Sequence, residues 1–248
     1  MSCYRFLAPW YDKLTGDVPY ERFADFYEAE FLRDGGEFRL LLDLCCGTGT
    51  LTNTLSRRGY EMIAVDSSVE MLMEAQSKSA GLETPPLFLC QDAAALDLYG
   101  TVDAAVCSLD GMNYIPPEDL PEVFRRLRLF VRPGGLLIFD IRTPEWLHAL
   151  DGEVFVDENE DMLCLWRADF DQEAGAVIYG MDIFSRAGEL WERSSEEHVE
   201  YTHSPEAIAK LLCDSGFADV QLRRDGPQGD GGRLFICAVR KQRKDNNG

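Results

Sequence analysis

The chain has 248 residues, 46% of them hydrophobic and 27% charged, proportions that suit a globular fold with a sizeable core. Its 44 acidic side chains against 24 basic ones give a formal net charge of −20, a balance that repels polyanions and argues against nucleic acid as a partner. No stretch approaches the roughly 20 apolar residues that span a bilayer, and Met1-Ser2-Cys3-Tyr4-Arg5 opens no secretory signal, so a cytoplasmic protein without a membrane partner is expected.

In chain order, residues 1–38 form an N-terminal helical cap. The aromatic stretch Tyr4 to Asp12 comes first, and Phe23, Phe26, Tyr27, Glu30 and Phe31 follow at helical spacing. Leu40-Leu41-Leu42-Asp43 is an apolar run closed by an acid, followed by the small-residue turn Cys45-Cys46-Gly47-Thr48-Gly49 and a predicted helix from Leu51 to Arg58. Met62-Ile63-Ala64-Val65-Asp66 is a second run of the same kind. Two parallel strands with acids at their carboxyl ends and a helix between them make a nucleoside-binding half-site. Gly47 and Gly49 let backbone approach a ligand closely, and the helix N-terminus offers it free amides.

Asp66 lies 23 positions beyond Asp43, where a strand-end carboxylate meets a ribose diol. A dinucleotide fingerprint needs a third glycine, and Thr52 stands there instead. An acid just ahead of the loop also repels a pyrophosphate and accommodates an ammonium group. A ligand with an amino-acid end and a nucleoside end fits both observations, and S-adenosylmethionine has both.

Further on, Leu87 to Asp92 reads as a third strand, Val102 to Cys107 as a fourth leading to Ser108, and Val131 to Asp140 as a Pro-Gly-Gly turn with a fifth. The run Asp43 to Thr50 resembles the first motif of class I S-adenosylmethionine-dependent methyltransferases, commonly Asp-Leu-Gly-Cys-Gly-Thr-Gly, with Cys45 replacing the first glycine. The resemblance implies a Rossmann-like α/β fold: a seven-stranded, mostly parallel sheet with helices on both faces. It implies a cofactor site made of Tyr11, Asp43, Cys45, Gly47, Thr48, Gly49, Asp66, Ser67, Met71, Asp92, Ala93 and Ser108. Asp92 would accept from the adenine amino group, and Cys45 would tighten the fit around the methionine part. The pattern Tyr4-x-x-x-Ala8-x-x-Tyr11-Asp12, with Asp17-Val18-Pro19-Tyr20 after it, resembles the N-terminal cap of small-molecule and amino-sugar N-methyltransferases. There the second tyrosine closes over the methionine end, a role that falls to Tyr11, with Tyr4 and Tyr20 behind it.

Residues 150–202 depart from that core. Met162 to Phe170, Ala176 to Phe184 and Glu189 to Tyr201 alternate with period two and are separated by hairpin signals. They predict an inserted antiparallel β lid on the acceptor side, over the carboxyl ends of the parallel strands. Ser204 then caps a helix with Pro205 in its first turn, Gly216 ends it, and Phe217 to Arg223 and Arg233 to Val239 supply the last two strands. The core thus comprises 39–149 and 203–240, with 241–248 a disordered tail. The basic run Arg125 to Arg132 reads as a solvated helix face. The nucleic-acid signature of the resembled family is missing, because Asp110-Gly111-Met112-Asn113-Tyr114 stands at its position. Eight cysteines contain no Cys-x-x-Cys pair, so buried free thiols are expected and no metal site.

Methyl transfer needs a dry pocket that aligns nucleophile and methyl, with a base where the acceptor must first lose a proton. Candidates are His198, Asn113 and Tyr114, with Asp110 as a holder of an amine; His148 and His203 rank lower. The sequence therefore predicts an S-adenosylmethionine-dependent methyltransferase of a small molecule, N-methylation ahead of O-methylation. Its alternatives are a non-catalytic module binding the cofactor or its demethylated product, and an NAD-dependent oxidoreductase. Oligomeric state is left open.

Overall fold

The structure, a computed structural model, describes residues 4–228 and 232–242. At its centre β1 (Leu40–Leu44) is buried along nearly its whole length, as expected of a parallel strand covered on both faces. It pairs in parallel with β2 (Glu61–Asp66) on one side and β4 (Val102–Cys107) on the other. β3 (Leu87–Cys90) extends the sheet beyond β2, and β5 (Val131–Arg142) beyond β4. β11 (Arg233–Arg240) and β10 (Phe217–Arg223) complete seven strands in the order β10-β11-β5-β4-β1-β2-β3, with β11 alone antiparallel to its neighbours. Strand order reverses between β1 and β4, and ligands of open α/β sheets bind in the crevice at such a reversal.

Helices cover both faces. α5 (Leu120–Phe130) and α7 (Pro205–Ser215) bury Phe124, Leu127, Ile208 and Leu212 against one face. α2 (Tyr20–Asp34) and α3 (Thr50–Arg57) bury Phe23, Tyr27, Phe31, Leu51 and Leu55 against the other. Each large apolar side chain so buried contributes about 1.5–3 kcal/mol. α4 (Val69–Lys78) begins with Ser68 as cap, its hydroxyl accepting from the Met71 amide. α7 begins with Ser204 accepting from Ala207 and ends at Gly216 with φ 96°. Gly135 at the head of β5 admits no side chain, because a Cβ there would lie 2.4 Å from the Asp103 carbonyl oxygen.

After α6 (Pro144–His148) the chain leaves this sheet for a second, antiparallel one: β6 (Val154–Glu158), β7 (Met162–Asp171), β8 (Ala176–Ala187) and β9 (Leu190–Tyr201), in that order. Three of these strands match the period-two stretches; β6 was not expected. Its Val154-Phe155-Val156 has no alternation to read, and all three side chains are exposed on an edge strand. The N-terminal helix α1 (Ala8–Leu14) packs on this second sheet, where Leu7 meets Met162, Cys164, Met181 and Ile183.

The cysteine expectation needs correction. Cys107, Cys164 and Cys237 are buried and Cys45 and Cys46 half-buried, but Cys90 and Cys213 are exposed. Cys90 ends the edge strand β3, which has a neighbour on one side only. All seven described cysteines are free thiols, and no cluster that could hold a metal occurs among the described residues. No described helix is long and apolar enough to cross a membrane. The basic side chains Arg125 and Arg126 pair with Glu122 on the outside of α5. The tail expected to be disordered lies outside the described residues from 243 onward.

Candidate functional site

The turn between β1 and α3 is built on left-handed backbone: Cys45 (φ 56°), Gly47 (φ 53°) and Gly49 (φ 68°). A Cβ at Gly47 would meet nothing within 4 Å, whereas one at Gly49 would lie 2.9 Å from the Ala75 Cβ of α4. The two glycines thus answer different needs, an open approach at the first and tight helix packing at the second. Cys45 holds a conformation that disfavours a side chain, in a place tight enough that a Cβ at Gly111 would sit 2.8 Å from its own.

The cavity at this turn is lined by Tyr11, Asp43, Cys45, Gly47, Thr48, Asp66, Ser67, Met71, Asp92, Ala93 and Ser108, every proposed cofactor residue except Gly49. Its wall follows the tips of β4, β1, β2 and β3, three strand spacings or about 14 Å. Asp43 is 2% exposed and accepts from Thr52 Oγ1 at 2.5 Å, so the residue at the missing third glycine serves the acid ahead of the loop. Burial raises the Asp43 carboxyl to about 7 against that hydrogen bond. Asp66 accepts from the Gly47 amide and the Ser68 amide, both at 2.8 Å, and burial raises its carboxyl too. One lone pair on each Asp66 oxygen is left for a ligand. Asp92 accepts from the Ala94 amide at 2.7 Å on the rim. Leu44, Cys46, Thr50, Gln91, Leu109, Ile115 and Asp119 also line the cavity and were not anticipated.

The residues before α2 form its roof. Asp12 accepts from Thr48 (2.6 Å), Thr50 (3.2 Å) and Lys78 Nζ (2.5 Å), which ties α1 to the glycine turn and to α4. At the other end, the Glu196 carboxylate on β9 accepts from the amides of Phe6 (2.9 Å) and Leu7 (3.2 Å). Tyr4, Tyr11 and Tyr20 therefore look down on the cavity, the Tyr4 ring 5.9 Å from those of both Tyr11 and Tyr114.

Of the candidates for proton chemistry, Tyr114 alone lines the cavity. His198 is 1% exposed, lies edge-on to Tyr4 at 4.2 Å, and has Nε2 3.1 Å from Glu196. His203 donates through Nε2 to the Met112 carbonyl, and His148 stacks on Phe170 away from the site. Asn113 is a fastener: its Nδ2 donates to the Tyr201 carbonyl (2.9 Å) and its Oδ1 accepts from the Arg142 amide (2.9 Å), joining the turn after β4 to β9 and β5. Asp110 pairs with Arg233 Nη2 at 2.6 Å. Leu109 and Asp110 both have positive φ, and both amides donate to the buried Asp140 at 3.0 Å. Such backbone costs about 1–3 kcal/mol per residue and persists where surroundings over-determine it.

Residues 41–135 match the model of a methyltransferase domain. Across 246 residues the chain is 30% identical to YqeM of Bacillus subtilis (strain 168), provisionally named a methyltransferase, covering 96% of this chain and 98% of that one. The structure superposes with a TM-score of 0.82 on an S-adenosylmethionine-dependent methyltransferase from Clostridium acetobutylicum ATCC 824, at 29% identity over 97% of this chain and all of the other. It also matches, with a TM-score of 0.78 and 19% identity over 93% and 91% of the two chains, the sugar N-methyltransferase KedS8 from Streptoalloteichus sp ATCC 53650. With an adenosyl-sized crevice at the strand reversal and the glycine turn that floors it, the chain belongs to the S-adenosylmethionine-dependent methyltransferases, in the YqeM-like family.

Proposed function

We propose that the acceptor is a small molecule and that its methylated atom is an amine nitrogen. The observation that carries this is the character of the cavity wall, which bears Asp119 beyond the cofactor's own Asp43, Asp66 and Asp92, and no Lys or Arg among the described residues. Such a wall favours cations, and Tyr4, Tyr11 and Tyr114 turn aromatic rings toward the same space, where a ring face attracts an ammonium group. A phosphate-bearing acceptor or a nicotinamide dinucleotide would meet uncompensated repulsion there. KedS8, which has the same fold, is named a sugar N-methyltransferase, in line with an amine on a small polar acceptor.

In this reading Asp66 holds the ribose diol, Asp92 and the Ala93 amide the adenine, and Asp43 with the Gly47 turn the amino-acid end. Bound there, S-adenosylmethionine supplies a methyl group on a sulfonium whose carbon–sulfur bond breaks with its electron pair passing to sulfur. Tyr11 covers the methionine end, and the antiparallel sheet with α1 keeps water from the acceptor. Seven free thiols among the described residues suit the cytoplasm as the working compartment.

Calorimetry with S-adenosylhomocysteine, followed by a panel of small amines and alcohols with methyl-labelled S-adenosylmethionine, tests the proposal. Label is expected in amines; label in alcohols alone would reverse the preference. Asp66→Ala should weaken S-adenosylhomocysteine by about 2–3 kcal/mol, roughly 30- to 150-fold, through two lost charge-assisted hydrogen bonds. Unchanged affinity would remove Asp66 from the ribose site.

A further inference from the structure

Tyr114 stands on the cavity wall, and Glu200, near the end of β9, lies against it. Glu200 is 6% exposed, with the Tyr179 Oη donating to its Oε2 at 3.4 Å and the Tyr114 phenol beside it acting against burial to favour the ionised carboxylate. The Tyr114 ring lies 5.9 Å from that of Tyr4, which faces the same cavity. Neighbouring phenols thus stand between the space beside the roof and a carboxylate sealed from solvent. Asn113, clamped between β5 and β9, fixes the turn that carries Tyr114.

The charged groups around Glu200 come from three elements: Asp110 in the turn after β4, Arg142 at the end of β5 and Arg233 at the start of β11. Arg233 is committed to Asp140 and Asp110. Burial, then the nearby Asp110, push the Glu200 carboxyl up to about 8. A glutamine could accept from a phenol equally well, so hydrogen bonding alone gives no reason for a buried ionisable group at this position.

We infer that Glu200, reached through the Tyr114 phenol, takes the proton that a cationic amine acceptor must lose before it is methylated. This rests on the N-methylation reading above and deepens it. An acceptor ammonium gives a proton to the Tyr114 oxygen, while the Tyr114 proton passes to the Glu200 carboxylate. The acceptor becomes a neutral amine with a free electron pair, Glu200 becomes a carboxylic acid, and Tyr114 ends unchanged. Tyr114 touches the acceptor; Glu200 is a positioning residue acting through it.

The test begins without any acceptor. Wild-type protein with carboxyl-13C glutamate, saturated with S-adenosylhomocysteine, is titrated by NMR, and Glu200 is identified as the resonance missing from Glu200→Gln. Its midpoint is expected near 8, moving by about half a pH unit or more in Tyr114→Phe. A midpoint in the ordinary range near 4.3, or one indifferent to Tyr114→Phe, overturns the relay. With an amine that accepts label, the Glu200→Gln rate at neutral pH should fall about tenfold or more, then climb about tenfold per pH unit as free amine appears, whereas the wild-type rate flattens above about 8. Parallel pH profiles overturn it as well. Failure of wild type to bind S-adenosylhomocysteine would instead bring down the reading of the cavity, and the relay with it.

Discussion

On the cavity floor, Asp43 sets how strongly pH governs ligand binding. Burial and the Thr52 hydrogen bond oppose each other, burial prevails, and the carboxyl titrates at about 7. Below that pH the neutral acid offers no charge to the ligand's ammonium group. The affinity for S-adenosylhomocysteine should therefore rise with pH by at most about tenfold per unit, then level off above 7. Calorimetry across that range checks it, and Asp43→Asn should flatten the profile. The sign for folding is opposite. A carboxyl raised from its unfolded value near 3.9 binds more protons when folded, so the Asp43 contribution to stability falls as pH climbs from about 4 to 7. Gly49 offers a test of backbone at the same loop. With φ 68° and Ala75 2.9 Å from a would-be Cβ, Gly49→Ala should cost about 2 kcal/mol, or roughly 4–8 °C in Tm by calorimetric scanning.

Among the elements, the roof is held at both ends by carboxylates from different parts of the fold: Asp12 reaches down to Thr48, Thr50 and Lys78, and Glu196 reaches out to the amides of Phe6 and Leu7. Asp12 is partly exposed, so its contacts are worth little singly, and Asp12→Ala should weaken S-adenosylhomocysteine about three- to tenfold. It should also hasten proteolysis within the first 19 residues; if neither changes, Asp12 does not hold the roof. The parallel core was legible because each strand is a continuous apolar run closed by an acid or a turn signal, as Leu40 to Asp43 and Met62 to Asp66 illustrate. The edge strand β6 was not, since Val154-Phe155-Val156 is neither alternating nor buried. Glu200 read as one acid among several on a polar strand face. Its partners at 110, 114, 142, 179 and 233 come from four separate stretches, and only the folded topology brings them together. His198 drew notice as a residue type, yet packing seals it beneath Tyr4.

Taken whole, the molecule carries a formal −20 over 248 residues, and like charges spread over that surface oppose its own compaction. Raising sodium chloride from about 20 mM to about 200 mM shortens the screening length from roughly 20 Å to below 10 Å, and should raise Tm by about 2–4 °C. A Tm that falls with salt would mean that local ion pairs such as Arg58 with Glu21, Asp25 and Glu28 outweigh the global repulsion.

The reversed direction of β11 has a practical corollary. Because that strand runs against its neighbours, it delivers Arg240 to the sheet margin remote from the crevice, whereas Tyr4 lines the crevice itself. An affinity tag or fluorophore fused ahead of Tyr4 would crowd ligand entry, while the same cargo attached beyond Arg240 would leave the mouth clear.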